Sequence, residues 1–336
     1  MPPCDDSIRQ AVICMHKAVL IARKEFKDAM RSKLFLVMLF LLVGLTATSI
    51  LVSSLMFKAQ LIEYQSAVQI LAQLGKVPTL QSPHLFPLTL LRGLMDYLEI
   101  IGAILGILLG YFSVAKEKNQ RTLQLILTRP VERKDIVTGK LLGNAALLAS
   151  VLLLVAGLVW MSIWSVTGVT LLGSEVAKLL LVLALSLAYI MVFYLLASFL
   201  SLRMRSLSQS LMVCFAIWLA IVLILPQIGD TMDPDNQVPG GFFKSMNFNK
   251  DQERQVLAQF NTYEKTRNLI EEISVTKHYE RISFALLGIK DEFNDKSLLY
   301  VLSIKWFDAV WIALFLLAGF IANYRIIIRR DALFGG

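Results

Sequence analysis

Six runs of some twenty or more mostly apolar residues, near 34–57, 93–115, 141–164, 177–200, 207–228 and 306–328, decide what this chain can become. Each is long enough to cross about 30 Å of hydrocarbon at about 1.5 Å per helical residue. A backbone crossing lipid must satisfy its own N–H and C=O groups, so the crossings are helices. The expected fold is an all-α integral membrane protein with six transmembrane helices. The first run follows 33 mixed residues and is too long for a signal-peptide core, so no cleaved leader is expected.

Lys and Arg crowd one side of these crossings. Residues 1–33, 116–140, 201–206 and the tail from 325 hold nineteen Lys and Arg against eight Asp and Glu; the rest of the chain has fourteen against seventeen. Basic residues stay on the cytoplasmic side. An even number of spans therefore puts both termini and the 116–140 loop in the cytoplasm of a multi-pass plasma-membrane protein. Topology accounts for the net charge of +8, and nucleic acid is not an expected partner. Cys4, Cys14 and Cys214 form no CxxC pair and give neither a disulfide framework nor a cysteine zinc site; no metal centre is expected. The chain divides into a cytoplasmic N-terminus (1–33), five spans with the basic loop (34–228), an extracytoplasmic helical segment (229–303), and a sixth span with a cytoplasmic tail (304–336).

In residues 10–33, Val12, Val19, Phe26 and Met30 share one helical stripe between cations. That pattern suits a helix on the inner membrane surface, with Lys17, Lys24, Phe26, Lys27 and Arg31 meeting lipid. A helix packed against protein is the other reading. Residues 58–92 contain three prolines and read as an outer loop with one helix around Leu61 to Leu74. The second span opens on RGLMDYLE, setting Arg92, Asp96 and Glu99 on one face near its outer end. They form either a polar outer mouth or an ion pair that anchors the helix. Next, GAILGILLG spaces Gly102, Gly106 and Gly110 every fourth residue, clearing one ridge for another helix. Residues 250–287 alternate polar and apolar groups, as one long or two shorter amphipathic helices would, and read as a cap over the outer mouth. His278, beside Glu280, reads as solvated. Trp306 and Trp311 suit the headgroup boundary.

The basic loop KEKNQRTLQLILTRPVERKDIVTGK still places Leu123, Ile126 and Leu127 at helical spacing. Pro130 ends that short helix, and a new one leads into the third span. A short helix pinned between two spans suits a handle that a soluble partner pushes. Leu123, Ile126 and Leu127 are the apolar face that such a partner would grip, beside cations such as Arg121 and Arg129.

The stretch AKEKNQRTLQLILTRPVERKDIVTGKLLG resembles the signature of ABC-transporter permeases of the type-2 export superfamily. The branch it resembles most is the permease of copper-enzyme-maturation systems, such as the one serving nitrous oxide reductase. Glu117, Thr122, Leu123, Pro130, Arg133 and Lys140 take the motif positions, and Arg121 stands where the family usually has Gly. The resemblance implies that the segment is a coupling helix docking into a separate ABC ATPase subunit. ATP and Mg would sit in that partner, with no cofactor in this chain. It also implies two permease copies, as a homodimer or a pair with a second permease, within membrane lipid.

The residues agree that the chain carries no engine of its own. Leu141 follows Gly139-Lys140 where a phosphate loop needs Ser or Thr, and neither HExxH nor GxSxG occurs, so the chain is not expected to be an enzyme. The twelve Met are scattered and read as gap-filling. The leading expectation is an export permease. The alternative is a non-transporting adaptor passing ATPase-driven force to an extracytoplasmic protein partner. An ion-coupled carrier ranks last, because Asp96, Glu99 and Asp308 all lie near the outer boundary.

Overall fold

The computed structural model describes residues 5–74, 87–119, 133–167, 173–232, 242–259, 261–293 and 296–329. Among them are helices and turns and no strand. Six helices are long and apolar enough to cross a membrane: Lys33–Gln73 (span 1), Leu88–Lys118 (span 2), Asp135–Ser165 (span 3), Gly173–Arg203 (span 4), Leu207–Met232 (span 5) and Leu298–Ile327 (span 6). The protein is an all-α integral membrane protein.

Span 1 shows how local chemistry sets a boundary. Ser32 caps its start, the hydroxyl accepting from the Phe35 N–H at 3.4 Å. No Gly or Pro follows between Gly44 and Gly75. The helix therefore runs unbroken through the stretch expected to form a separate loop helix. Its 41 residues measure about 60 Å, twice the hydrocarbon thickness. Span 6 likewise starts earlier than its apolar run, at Leu298, and bends at Lys305 (φ −101°, ψ 15°).

Among the described residues, spans 2 and 4 make the most extensive contact. The glycine ridge explains it. A Cβ at Gly106 or Gly110 would collide with the backbone carbonyl oxygens of Ile190 and Tyr194, and one at Gly102 would lie 3.1 Å from Ile190 Cδ1. The partner of the Gly102–Gly106–Gly110 ridge is thus span 4. A second pair of glycines does similar work on span 3. A Cβ at Gly139 would stand 2.8 Å from the Ala18 carbonyl oxygen, and one at Gly143 2.5 Å from that of Ala22. Both face the leading helix, Asp5–Met30, which packs along this end of span 3. The leading helix thus packs on protein along this face. Val19 and Met30 of its apolar stripe remain exposed, while Phe26 packs against the core.

Between spans 5 and 6 the connector forms the helices Phe242–Ser245, Lys250–Gln259, Asn261–Ile273 and Val275–Leu286. The last, here the wedge helix, is buried along nearly its whole length against spans 4 and 6. π-turns occur in span 2 at Leu98–Gly102 and in span 5 at Leu219–Ile224. Both meet the wedge helix or its contacts. Ser274, its N-cap residue, donates to the Ile221 carbonyl at 2.8 Å. Tyr189 of span 4 donates to the Glu99 carbonyl at 2.9 Å and meets Thr276 Oγ1 at 3.3 Å.

Candidate coupling site

The end of the bundle that holds the leading helix contains a buried ion cluster. Lys140, in the first turns of span 3, places its ammonium 2.9 Å from Glu117 Oε2 near the end of span 2 and 3.6 Å from Glu25 Oε1 of the leading helix. All three side chains are at least nine-tenths buried. The ammonium also donates to the Ser113 carbonyl and, at 3.4 Å, to its hydroxyl. Lys24 adds contacts of 3.4 Å to Glu117 and 3.7 Å to Glu25, and Lys116 meets Asp28 at 2.7 Å.

Buried charges at these separations need full pairing and further hydrogen bonds. The cluster supplies both. Asn144, one turn after Lys140, donates to the Lys140 carbonyl at 2.9 Å and to Tyr194 Oη at 3.3 Å. Tyr194 Oη stands 3.4 Å from Ser113 Oγ, so span 4 joins the network. Partial burial of Lys24 alone disfavours its ammonium, but the Glu117, Glu25 and Asp28 carboxylates outweigh this and hold its pKa above the ordinary lysine value. Beside the cluster lies a cavity of about 300 Å³, walled by charge on one side and by Phe35, Leu109 and Phe112 on another. Lys118 leaves the network and donates to the carbonyls of Ser201 and Met204, at the same end of span 4.

Mechanically, the cluster makes a joint. Glu117 and Lys140 stand at the two ends of the basic loop, and their ion pair closes those ends on each other. Through Glu25 and Lys24, the leading helix is held to the same point.

The sequence pattern of the ABC-2 family transporter proteins matches residues 19–332, which is nearly the whole chain. The chain belongs to the ABC-2 transporter family. No curated protein matches it. Members of this family are the membrane components of ABC transporters, so this chain is an ABC-2 permease, and the family implies partnership with an ABC ATPase subunit.

Of the residues expected to meet the ATPase, Glu117 and Lys140 lie in the ion cluster, while Arg121, Thr122, Leu123, Ile126, Leu127, Arg129 and Pro130 lie outside the described residues. Arg133 begins the helix that becomes span 3. Among the expected lipid contacts, Lys24 turns into the ion cluster and Phe26 into the core, while Lys27 and Arg31 stay exposed.

At the opposite end of the permease, Arg92 and Asp96 are exposed and Glu99 is partly buried. The Arg92 guanidinium lies over the Phe284 ring at 5.9 Å, joining span 2 to the wedge helix. Lys277 of that helix is almost fully buried, with Asp230 Oδ1 at 2.9 Å and Glu280 Oε2 at 3.0 Å. Burial alone would lower the Lys277 pKa, but Glu280 and Asp230 raise it above the ordinary value.

His278 overturns the expectation of a solvated ring. It is fully buried, with Nδ1 2.7 Å from Asp308 Oδ1 and Nε2 3.0 Å from the Glu272 carbonyl oxygen. Its neighbour Glu280 sits two residues on, so on a helix the two side chains point in different directions. Solvation of one says nothing of the other.

Sequence reasoning also passed over Glu25, Ser113, Asn144 and Tyr194. Asn144 carried a usable signal, standing one helical turn after Lys140 within an apolar run. Glu25 carried another, in register with Ala18 and Ala22 on one face of the leading helix.

Proposed function

We propose that this permease is the membrane half of an exporter driven by a separate ABC ATPase, which grips the 116–140 segment at the cytoplasmic face. The Glu117–Lys140 ion pair carries this reading. A push on the segment reaches its ends at one closed joint, and from there spans 2 and 3 and the leading helix move together. Span 4 follows through Tyr194 and the glycine ridge of span 2. By their spacing in the sequence, Leu123, Ile126 and Leu127 would give the ATPase its apolar contact, with Arg121, Thr122, Arg129, Pro130 and Arg133 beside them in the chain. ATP and Mg belong to that partner. Two permease chains, identical or paired with a second kind, would complete the transporter in the plasma membrane with both termini cytoplasmic. Within the family we place the chain nearest the copper-enzyme-maturation branch, on the strength of the 116–140 motif alone.

The test is co-purification from native membranes, followed by ATP turnover in vesicles that hold both subunits. A P-loop ATPase should accompany the wild-type permease. The triple variant Leu123→Asp, Arg129→Glu, Arg133→Glu should lose it, or retain it with turnover no longer responsive to the permease. Full retention of binding and of permease-dependent turnover would show that the contact lies elsewhere.

A further inference from the structure

Both ring nitrogens of His278 face acceptors. The Glu272 carbonyl can only accept, so Nε2 carries a proton. A neutral imidazole has one N–H, and here it is already committed to Glu272. Nδ1 would then present a lone pair to the Asp308 carboxylate at 2.7 Å, in a place where the ring is fully buried. Two buried acceptors in contact are not tolerated, so a second proton must lie between them.

We propose that the His278–Asp308 pair is a proton-binding site that latches the wedge helix onto span 6. The surroundings place the proton on the ring. His278 stacks on Trp311 with 5.8 Å between centroids and 18° between planes, and meets Phe307 edge-on at 6.1 Å. Aromatic faces at that range favour a cation. The second Asp308 oxygen stands 3.8 Å from the Lys305 ammonium.

Other charges among the described residues face the latch: the turn after the wedge helix brings Lys290 and Glu292 toward Lys305, and the wedge helix itself brings Arg281. On the wedge helix, Lys277 is bound to Asp230 of span 5 and to Glu280, and Arg281 to Glu271. The preceding connector helix brings Glu271 and Glu272, the latter exposed and acting through its carbonyl. Span 2 brings the Asp96 and Glu99 carboxyl groups toward Glu280. Span 4 contributes the hydroxyls of Ser186 and Tyr189, bonded to Tyr279 and Thr276.

Opening the latch delivers the ring to water, where an imidazole above about pH 6.5 is mostly neutral. The closed form then holds one proton more than the open form. Acid closes the latch and alkali opens it, by about tenfold in the opening constant per pH unit. The latch sits three residues beyond the bend at Lys305, so opening frees the connector from span 6 at the point where that span already departs from helical geometry.

Asp308→Asn gives the discriminating variant. An asparagine amide donates to a neutral Nδ1 and leaves the ring's single N–H on Glu272, so this latch closes without the extra proton. Hydrogen exchange of residues 275–286 in the full-length protein in nanodiscs, corrected for intrinsic exchange, should show wild-type opening rising about tenfold per unit above about pH 6.5. The variant should show no such slope. A flat wild-type profile, or equal slopes in both proteins, overturns the latch. ¹⁵N resonances of His278 in wild type give a second reading that does not depend on the variant's folding. Protonation of both nitrogens is expected, and a bare Nδ1 beside an ionised Asp308 refutes the assignment.

Discussion

Lys140 illustrates why a single side chain at a helix start can matter more than the apolar residues around it. Its ammonium neutralises two carboxylates, Glu117 and Glu25, that have almost no access to water. Replacing it with Met leaves the two carboxylates to share the half-exposed Lys24 ammonium, so one buried charge goes uncompensated, at a cost of about 3–5 kcal/mol. The unfolding midpoint of the purified permease in detergent should fall accordingly. Adding Glu117→Gln to Lys140→Met removes one stranded charge and should restore part of the loss. A double variant less stable than the single one would show that the pair contributes packing rather than charge compensation. Tyr194→Phe is a milder probe, since it removes only the hydroxyl that accepts from Asn144 and meets Ser113. It should cost about 1–2 kcal/mol.

At the scale of the element, the helices were readable because apolar length is a one-dimensional property, whereas their partners were not. Gly102, Gly106 and Gly110 announced a ridge, yet only the fold shows Ile190 and Tyr194 of span 4 filling it. Gly139 and Gly143 have the same spacing and were read only as part of a motif, although they receive Ala18 and Ala22 of the leading helix. The wedge helix escaped for a different reason. Its sequence, VTKHYERISFAL, alternates charge with apolar residues as a surface helix does, and its burial depends on Asp230 and Asp308 supplied from elsewhere in the chain. Buried polar residues satisfied by distant partners leave no periodic trace.

The glycines permit a paired test. Gly110→Ala drives a Cβ into the Tyr194 backbone and should destabilise the permease by about 1–3 kcal/mol. Gly157→Ala, with nothing within 4 Å of the added carbon, should be neutral or stabilise by up to about 1 kcal/mol through helix propensity. Thermal unfolding of the two variants side by side checks both signs.

For the molecule as a whole, the two ends of the bundle differ in a way that follows from charge. One end collects Lys24, Lys116, Lys118, Lys140 and Arg203, pairs some of them with Glu25, Asp28 and Glu117, and leaves Lys27, Arg31, Arg203 and Arg205 exposed. The other sets Lys277 among Asp230 and Glu280, with Asp96 and Glu99 close by. Exposed Arg and Lys are held back from translocation whereas acids are not, so the first end should face the cytoplasm. Spans 1, 5 and 6 keep most of their apolar surface unburied within the chain, as helices bordering lipid or a second permease do. Sidedness can be read directly. With Cys4, Cys14 and Cys214 replaced by Ser, a membrane-impermeant maleimide should label Lys265→Cys in the connector on intact cells. Arg205→Cys, between spans 4 and 5, should react only after permeabilisation. Both positions are exposed, so a failure to react reports the membrane rather than burial. The reverse pattern would place the Glu117–Lys140 joint on the outside, beyond reach of any ATP-hydrolysing partner.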